Sequence, residues 1–235
     1  MSVVTVTRAE IQTVVAARQL ASKKSVFIGV GRPSTAAILA REVHNPELVL
    51  VYESGTIGAK PTRVPLSIGD GELAATADAV VSVPEMFNYW IQPGRIDVAF
   101  LGAAQIDRYA NLNSTVIGDY HHPKVRLPGA GGAPEIAIGC REVVVIAPHD
   151  KRTFVQELDF KTTTGERTTA VITDLGVLEP DPDTRELVLT HVHDEITASE
   201  VWDRTGWDLR VSDALVRTDP PTDGELEALR ELVAR

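Results

Sequence analysis

The chain has 235 residues, with 43% hydrophobic and 24% charged side chains, a formal net charge of −10 and a pI of about 5.1. That size and balance suit a globular α/β protein, and the acidic charge argues against nonspecific nucleic-acid binding, which needs a basic surface. No apolar stretch approaches the ~20 residues of a membrane span, Met1–Glu10 holds no secretory apolar region, and the single Cys140 cannot form an intrachain disulfide, so a reducing cytoplasm is expected.

In chain order, a helix is expected from Arg8 to Ala21, with Thr7 as N-cap and Glu10 completing a capping box. A strand, Ser25 to Gly29, follows, and Gly31-Arg32-Pro33-Ser34 turns into a helix ending near Val43. Leu48-Val49-Leu50-Val51-Tyr52 is aliphatic enough for a strand buried on both faces of a parallel sheet. It runs into Glu53-Ser54-Gly55, where the glycine permits the positive φ of a sharp turn. Ligands of open α/β sheets gather at the carboxyl ends of the strands, so Glu53 is expected at a crevice as base or nucleophile, against the plainer reading of a solvated acid. Ser54 to Asp70 reads as loop, Ile96 to Leu101 as a buried strand ending at Gly102, and Gln105 to Gly132 as a long ordered region with little periodicity. Further strands are expected at Glu142–Ala147, Thr169–Thr173 and Glu186–Thr190. Helices are expected at Thr197–Thr205, stopped by Gly206, and at Asp223–Ala234, with Leu226, Leu229 and Leu232 on one face. The grammar is βαβ. It predicts one domain over residues 1–235, an open, mostly parallel sheet flanked by helices.

Several segments could carry chemistry. Gly129-Ala130-Gly131-Gly132 is either a nest of backbone amides for an anion or polarised carbonyl, or a flexible turn; it is neither a P-loop nor a dinucleotide fingerprint. Asn111-Leu112-Asn113-Ser114-Thr115 offers amides for a carboxylate or oxyanion, or simply Asx and Ser/Thr turns. His121-His122 lacks the neighbours of a zinc set and suits a hydrogen-bonding role at an interface or pocket rim. His191 and His193 are expected to share one face of a strand. Neither pair points to a metal. Lys124 and Arg126 either meet phosphates or are solvated, and Cys140 reads as a buried, passive thiol.

Taken in order, Glu53-Ser54-Gly55, Gly102-Ala103-Ala104-Gln105-Ile106-Asp107, Asn111 to Thr115, Gly118-Asp119-Tyr120-His121-His122-Pro123-Lys124 and Gly129 to Ala133 resemble the β subunit of family I CoA-transferases, most closely the glutaconate CoA-transferase type. The resemblance implies an open α/β fold, a separate partner (the α subunit), acyl-CoA and a carboxylic acid as substrates, and no permanently bound cofactor. It makes Glu53 the nucleophile of a ping-pong reaction through a glutamyl–CoA thioester, with Ser54, Gly55, Gly102, Asn111, Asn113, Gly129, Gly131 and Gly132 as candidate substrate or oxyanion groups. Tyr52 before the glutamate points away from the succinyl-CoA:3-oxoacid branch, and Ala110 stands where relatives often carry glycine. Thr56 to Arg63 differs from glutaconate enzymes and leaves the acid open. The alternatives are a CoA-thioester hydrolase or a carbon–carbon-cleaving or decarboxylating subunit of the same fold, and, from another class, a non-catalytic ligand sensor.

Overall fold

The computed structural model describes residues 5–235; the first four residues, which belong to the stretch read for a secretory signal, lie outside the described residues. The main sheet has ten strands. Its centre is β1 (Ser25–Ile28), β2 (Val49–Tyr52), β5 (Val98–Leu101), β10 (Glu142–Ile146) and β11 (Thr168–Ile172), all parallel and ordered β11-β10-β5-β1-β2. The chain passes from β1 through α2 (Arg32–Val43) to β2 on one side, then returns to lay β5 on the other side of β1. The strand order therefore reverses at β1/β5, and the carboxyl ends there splay apart into a crevice.

Both edges depart from the parallel pattern. Beyond β2, the short strands β3 (Thr56–Ile57) and β4 (Ala79–Val80) pair antiparallel, so the expected loop from Ser54 to Asp70 opens with a reversal. On the far side, β12 (Gly176–Pro180) and β13 (Leu187–Val192) run antiparallel to their predecessors, and β14 (Arg210–Arg217) closes the edge. The region from Gln105 to Gly132 is ordered as two small two-stranded sheets: β6 (Gln105–Ile106) with β7 (Leu112–Asn113), and β8 (Val116–Gly118) with β9 (Pro123–Arg126).

Strand periodicity sorts the central residues between two faces. Val26, Ile28, Leu50, Tyr52, Val98 and Phe100 pack under α1 (Arg8–Arg18), α2 and α7 (Asp223–Ala234), with Leu20, Leu39 and Leu229. The alternate residues Phe27, Val51 and Ala99 pack on the opposite face with Met86, Ile91, Ile136 and Cys140. Those partners belong to α5 (Ala133–Gly139), to its C-cap Cys140 and to a π-helical turn, Met86–Ile91, which follows the short helices α3 (Gly71–Thr76) and α4 (Val83–Glu85). The remaining helix, α6 (Ala198–Asp203), packs Val201 against the β12–β13 end.

The expected capping box forms. The Thr7 hydroxyl accepts from the Glu10 amide while Glu10 answers the Thr7 N–H; Thr197, expected as the start of a helix to Thr205, instead caps a shorter one, Ala198–Asp203, by accepting from the Glu200 amide. The α1 helix ends at Arg18, short of Ala21. The expected pairing of His191 and His193 on one strand face is corrected. The strand ends at Val192, and His193 lies beyond it, fully buried, with its ring between the Thr173 carbonyl and the Thr218 hydroxyl. Cys140 is buried, and burial pushes its thiol up to about 12. Among the described residues, no helix is long and apolar enough to cross a membrane.

Candidate active site

Glu53 follows directly on β2. Its strand is in register with β1, Ile28 beside Tyr52, so Glu53 stands next to Gly29 at the carboxyl edge. The turn behind it is specified by glycine. Gly55 has φ +103°, and a Cβ there would lie 1.9 Å from the Val81 carbonyl oxygen. The Gly55 N–H donates to the Tyr52 carbonyl (2.9 Å), and the Val81 N–H donates to the Gly55 carbonyl (2.9 Å). One residue before the glutamate, Tyr52 is fully buried and bonded to the buried Ser34 hydroxyl at 2.9 Å; burial raises its phenol to about 12. A neutral, anchored tyrosine on one side and a glycine-only turn on the other leave Glu53 little freedom of backbone position.

The crevice has a volume of about 400 Å³. Its walls are the ends of β1, β5 and β10 (Ile28 to Val30, Phe100 to Gly102, Ile146) and the segment Pro128 to Ala133. Among the described residues lining it, Glu53 is the only one with an ionisable side chain, and the other side chains are hydrocarbon or absent. Any further hydrogen bond to a ligand from this chain's lining therefore comes from the main chain.

The glycine loop supplies that main chain. Gly129 and Gly131 take positive φ (+105° and +51°), and Gly132 precedes α5 with no side-chain cap. The Gly129 N–H is committed to the Ser114 carbonyl at 2.9 Å, the Ser114 hydroxyl donates to the Gly129 carbonyl at 2.9 Å, and the Ala133 N–H donates to the Ala130 carbonyl at 3.0 Å. Among the described residues, no backbone carbonyl takes the N–H groups of Ala130, Gly131 and Gly132. A Cβ on Gly132 would lie 2.7 Å from Glu53 Oε1, so this glycine is needed for the loop to approach the carboxylate.

The structure thus brings Glu53, Gly102, Gly129, Gly131 and Gly132 to one crevice. It does not bring Asn111 or Asn113, and the expectation that these amides face a ligand is corrected. Asn111 donates to Asp107 Oδ2 (2.8 Å) and accepts from the Gly165 N–H (3.1 Å), holding a turn in which Ala110 takes φ +57°. Asn113 is fully buried. It donates to Gln105 Oε1 and to the Val116 carbonyl, both at 2.7 Å, and accepts from the amides of Thr115 (2.9 Å) and Val116 (3.3 Å). For Asn113 this is the Asx turn that the same residues also allowed, whereas Asn111 ties the Asp107 turn to Gly165. Ser54 and Gly55 shape the turn without lining the crevice; the Ser54 hydroxyl is buried and meets no hydrogen-bond partner among the described residues.

Arg126 stacks 5.0 Å over the Tyr120 ring and donates to the Tyr120 carbonyl, while the amides of His121 and His122 both donate to Asp119. These interactions stiffen the β8–β9 hairpin. Among the described residues, no three His, Cys, Asp or Glu side chains gather as a metal set. The sequence reading missed Phe87, whose ring lies against Gly132 beside Glu53, because Ala79 to Gly94 carries no clear helical or strand period.

Comparison with known proteins places the chain in a family. The family described as Coenzyme A transferase matches residues 9–203. The B subunit of the 3-oxoadipate CoA-transferase of Pseudomonas knackmussii is 52% identical, over 96% of this chain and 93% of its own. The B subunit of the glutaconate CoA-transferase of Acidaminococcus fermentans is 34% identical, over 96% of this chain and 91% of its own. The crystal structure of glutaconate coenzyme A-transferase from the same organism superposes with a TM-score of 0.91 at 30% identity, covering 97% of this chain and 95% of that one. With family match, sequence identity and overall fold in agreement, the chain belongs to the coenzyme A transferase family, among its B subunits.

Proposed function

We propose that this chain, assembled with a partner α subunit, transfers CoA between an acyl-CoA and a carboxylic acid with Glu53 as the covalent nucleophile, and that the acid is a dicarboxylic 3-oxo acid of the 3-oxoadipate kind. The observation that carries the mechanism is the isolated carboxylate on an otherwise hydrocarbon crevice wall, next to a glycine loop in which the N–H groups of Ala130, Gly131 and Gly132 meet no backbone carbonyl among the described residues. The choice of acid rests on the 52% identity to a 3-oxoadipate CoA-transferase chain.

A carboxylate needs no general base to free its attacking oxygen. It is a poor nucleophile in water, and a dry, oriented crevice offsets that weakness. Attack on the thioester carbonyl expels CoA thiolate and leaves an acyl–glutamyl anhydride. The thiolate adds to the glutamyl carbonyl, the anhydride C–O bond breaks, and the first acid departs from a Glu53–CoA thioester. The carboxylate of the second acid attacks that thioester, the C–S bond breaks, and the released thiolate takes the new acyl group, restoring Glu53. Each addition places negative charge on a carbonyl oxygen, and the N–H groups of Ala130, Gly131 and Gly132 are the candidate donors for it.

The test is intact and peptide mass spectrometry of the complex after incubation with a panel of acyl-CoAs and no acceptor acid. The expected result is CoA on the Glu53 peptide, removed by borohydride, and no adduct in Glu53→Ala although the complex still assembles. CoA release with no adduct in the unchanged complex refutes the covalent transfer reading and supports hydrolysis or cleavage instead. An adduct formed only with acyl-CoAs unlike 3-oxoadipyl-CoA refutes the choice of acid alone.

A further inference from the structure

Glycine builds the wall beside Glu53, and it does so to admit an aromatic ring. A Cβ on Gly132 would meet Phe87 Cζ at 2.5 Å, Phe87 Cε1 at 2.9 Å and Glu53 Oε1 at 2.7 Å, so the edge of the Phe87 ring and a carboxylate oxygen converge on the space that Gly132 leaves empty. At the other end of α5, a Cβ on Gly139 would lie 2.3 Å from Ile91 Cγ2 and 2.9 Å from the Ile91 carbonyl oxygen. Glycines at both ends thus seat α5 against the turn Met86–Ile91, with Ile136, Met86 and Ile91 filling the space between. That turn is a π-helix: the Phe87 carbonyl accepts from the Gln92 N–H five residues on, at 2.9 Å. A π-helical turn carries one more residue than an α-turn, is rare, and occurs frequently at functional sites.

We infer that Phe87 is a positioning residue for Glu53, holding the carboxylate in its attacking orientation and keeping water from the glutamyl–CoA thioester. The inference rests on the reading of Glu53 as nucleophile. The rim of a phenyl ring carries the positive part of its quadrupole, so a ring edge beside a carboxylate oxygen is favourable as well as apolar. The ring occupies one side from which water would otherwise reach the glutamyl carbonyl. Water adding there breaks the C–S bond, releases CoA as the thiol, and returns the Glu53 carboxylate with loss of a proton, which wastes the acyl-CoA without transfer. The π-helical turn thereby biases a transferase against hydrolysis.

The experiment compares the assembled complex with its Phe87→Ala and Phe87→Leu variants. Each is charged with an acyl-CoA in the absence of acceptor acid, and the decay of Glu53-bound CoA is followed by mass. All three should form the adduct; in Phe87→Ala it should decay at least about tenfold faster. Phe87→Leu keeps bulk but loses the ring edge, and its adduct should decay roughly threefold faster. A packing role alone would lower the yield of complex without changing the decay. Equal decay in Phe87→Ala and the unchanged complex overturns this inference and leaves the nucleophile standing, whereas no adduct in the unchanged complex overturns both. Should Phe87→Ala fail to assemble, Phe87→Leu decides: faster decay supports the inference and unchanged decay overturns it.

Discussion

Gly55→Ala is expected to damage stability and chemistry together, because one turn serves both. The alanine would have to hold φ near +103°, a region that costs an L residue about 1–3 kcal/mol. Its Cβ would also sit 1.9 Å from the Val81 carbonyl oxygen and 3.0 Å from the Val81 carbonyl carbon, both rigid backbone atoms, so Val81 has to withdraw. Withdrawal breaks the 2.9 Å bond from the Val81 N–H to the Gly55 carbonyl, a loss of about 1 kcal/mol. The expected destabilisation is about 2–4 kcal/mol, a large share of a stability that for most domains is about 5–15 kcal/mol. Glu53 is two residues away on the same turn, and a displacement of about 1 Å at a reacting group can cost about a hundredfold in rate. The assay is denaturant unfolding of the assembled complex beside its transfer rate. Gly58→Ala serves as the control. Gly58 also has positive φ (+68°), but the atoms nearest to its Cβ would be those of the Asp78 side chain rather than rigid backbone, so stability should fall while the transfer rate holds. A Gly55→Ala complex within about 0.5 kcal/mol of the parent, transferring at the parent rate, would refute the argument that this turn fixes Glu53.

Asn113→Ala should destabilise by about 2–4 kcal/mol, because it strands two backbone amides and one carbonyl and takes one of two donors from Gln105 Oε1, while the Glu53 adduct still forms at temperatures where the variant is folded; a normal midpoint with a lost adduct would restore a direct role for the amide. His149 lies stacked on Phe154 at 3.9 Å between the hydroxyls of Thr173 and Thr205, and burial pulls its pKa from 6.5 to about 4. The unfolded chain therefore binds a proton that the folded chain refuses between those values, and stability should fall as pH drops below 6.5, by up to about 3 kcal/mol near pH 4. Unfolding curves from pH 7.5 to 4.5 should flatten in His149→Gln, with the depressed His193 leaving a residual slope; an unchanged slope would remove His149 as the cause.

The parallel centre of the sheet was legible because its strands are aliphatic runs punctuated by glycine, and Glu53 was legible because such a run ended on an acid. Thr7 with Glu10, and Leu226, Leu229 and Leu232, announced their helices through local chemistry that does not depend on distant contacts. The antiparallel edges were harder to read. Arg210–Arg217 is exposed along most of its length, and its composition gives no inward-facing stripe. The α5 helix is seven residues bounded by glycines, a pattern that reads as loop until its fit against Ile91 and Phe87 is seen. Asn111 and Asn113 show the opposite failure. A run of amides suits an oxyanion and suits a turn equally well, and only burial with four satisfied partners tells which use Asn113 serves.

A crevice with one carboxylate and otherwise only main-chain polarity has an unusual relation to mutation. A single substitution can delete a side-chain donor, but it cannot delete a peptide N–H except by introducing proline. The electrostatic part of this site is therefore buffered against drift, whereas its shape is not: Phe27, Phe100, Ile146 and Pro33 can each be exchanged for a smaller or larger apolar neighbour. Divergence toward a different acid would proceed on this chain by resizing hydrocarbon walls around an unchanged glutamate.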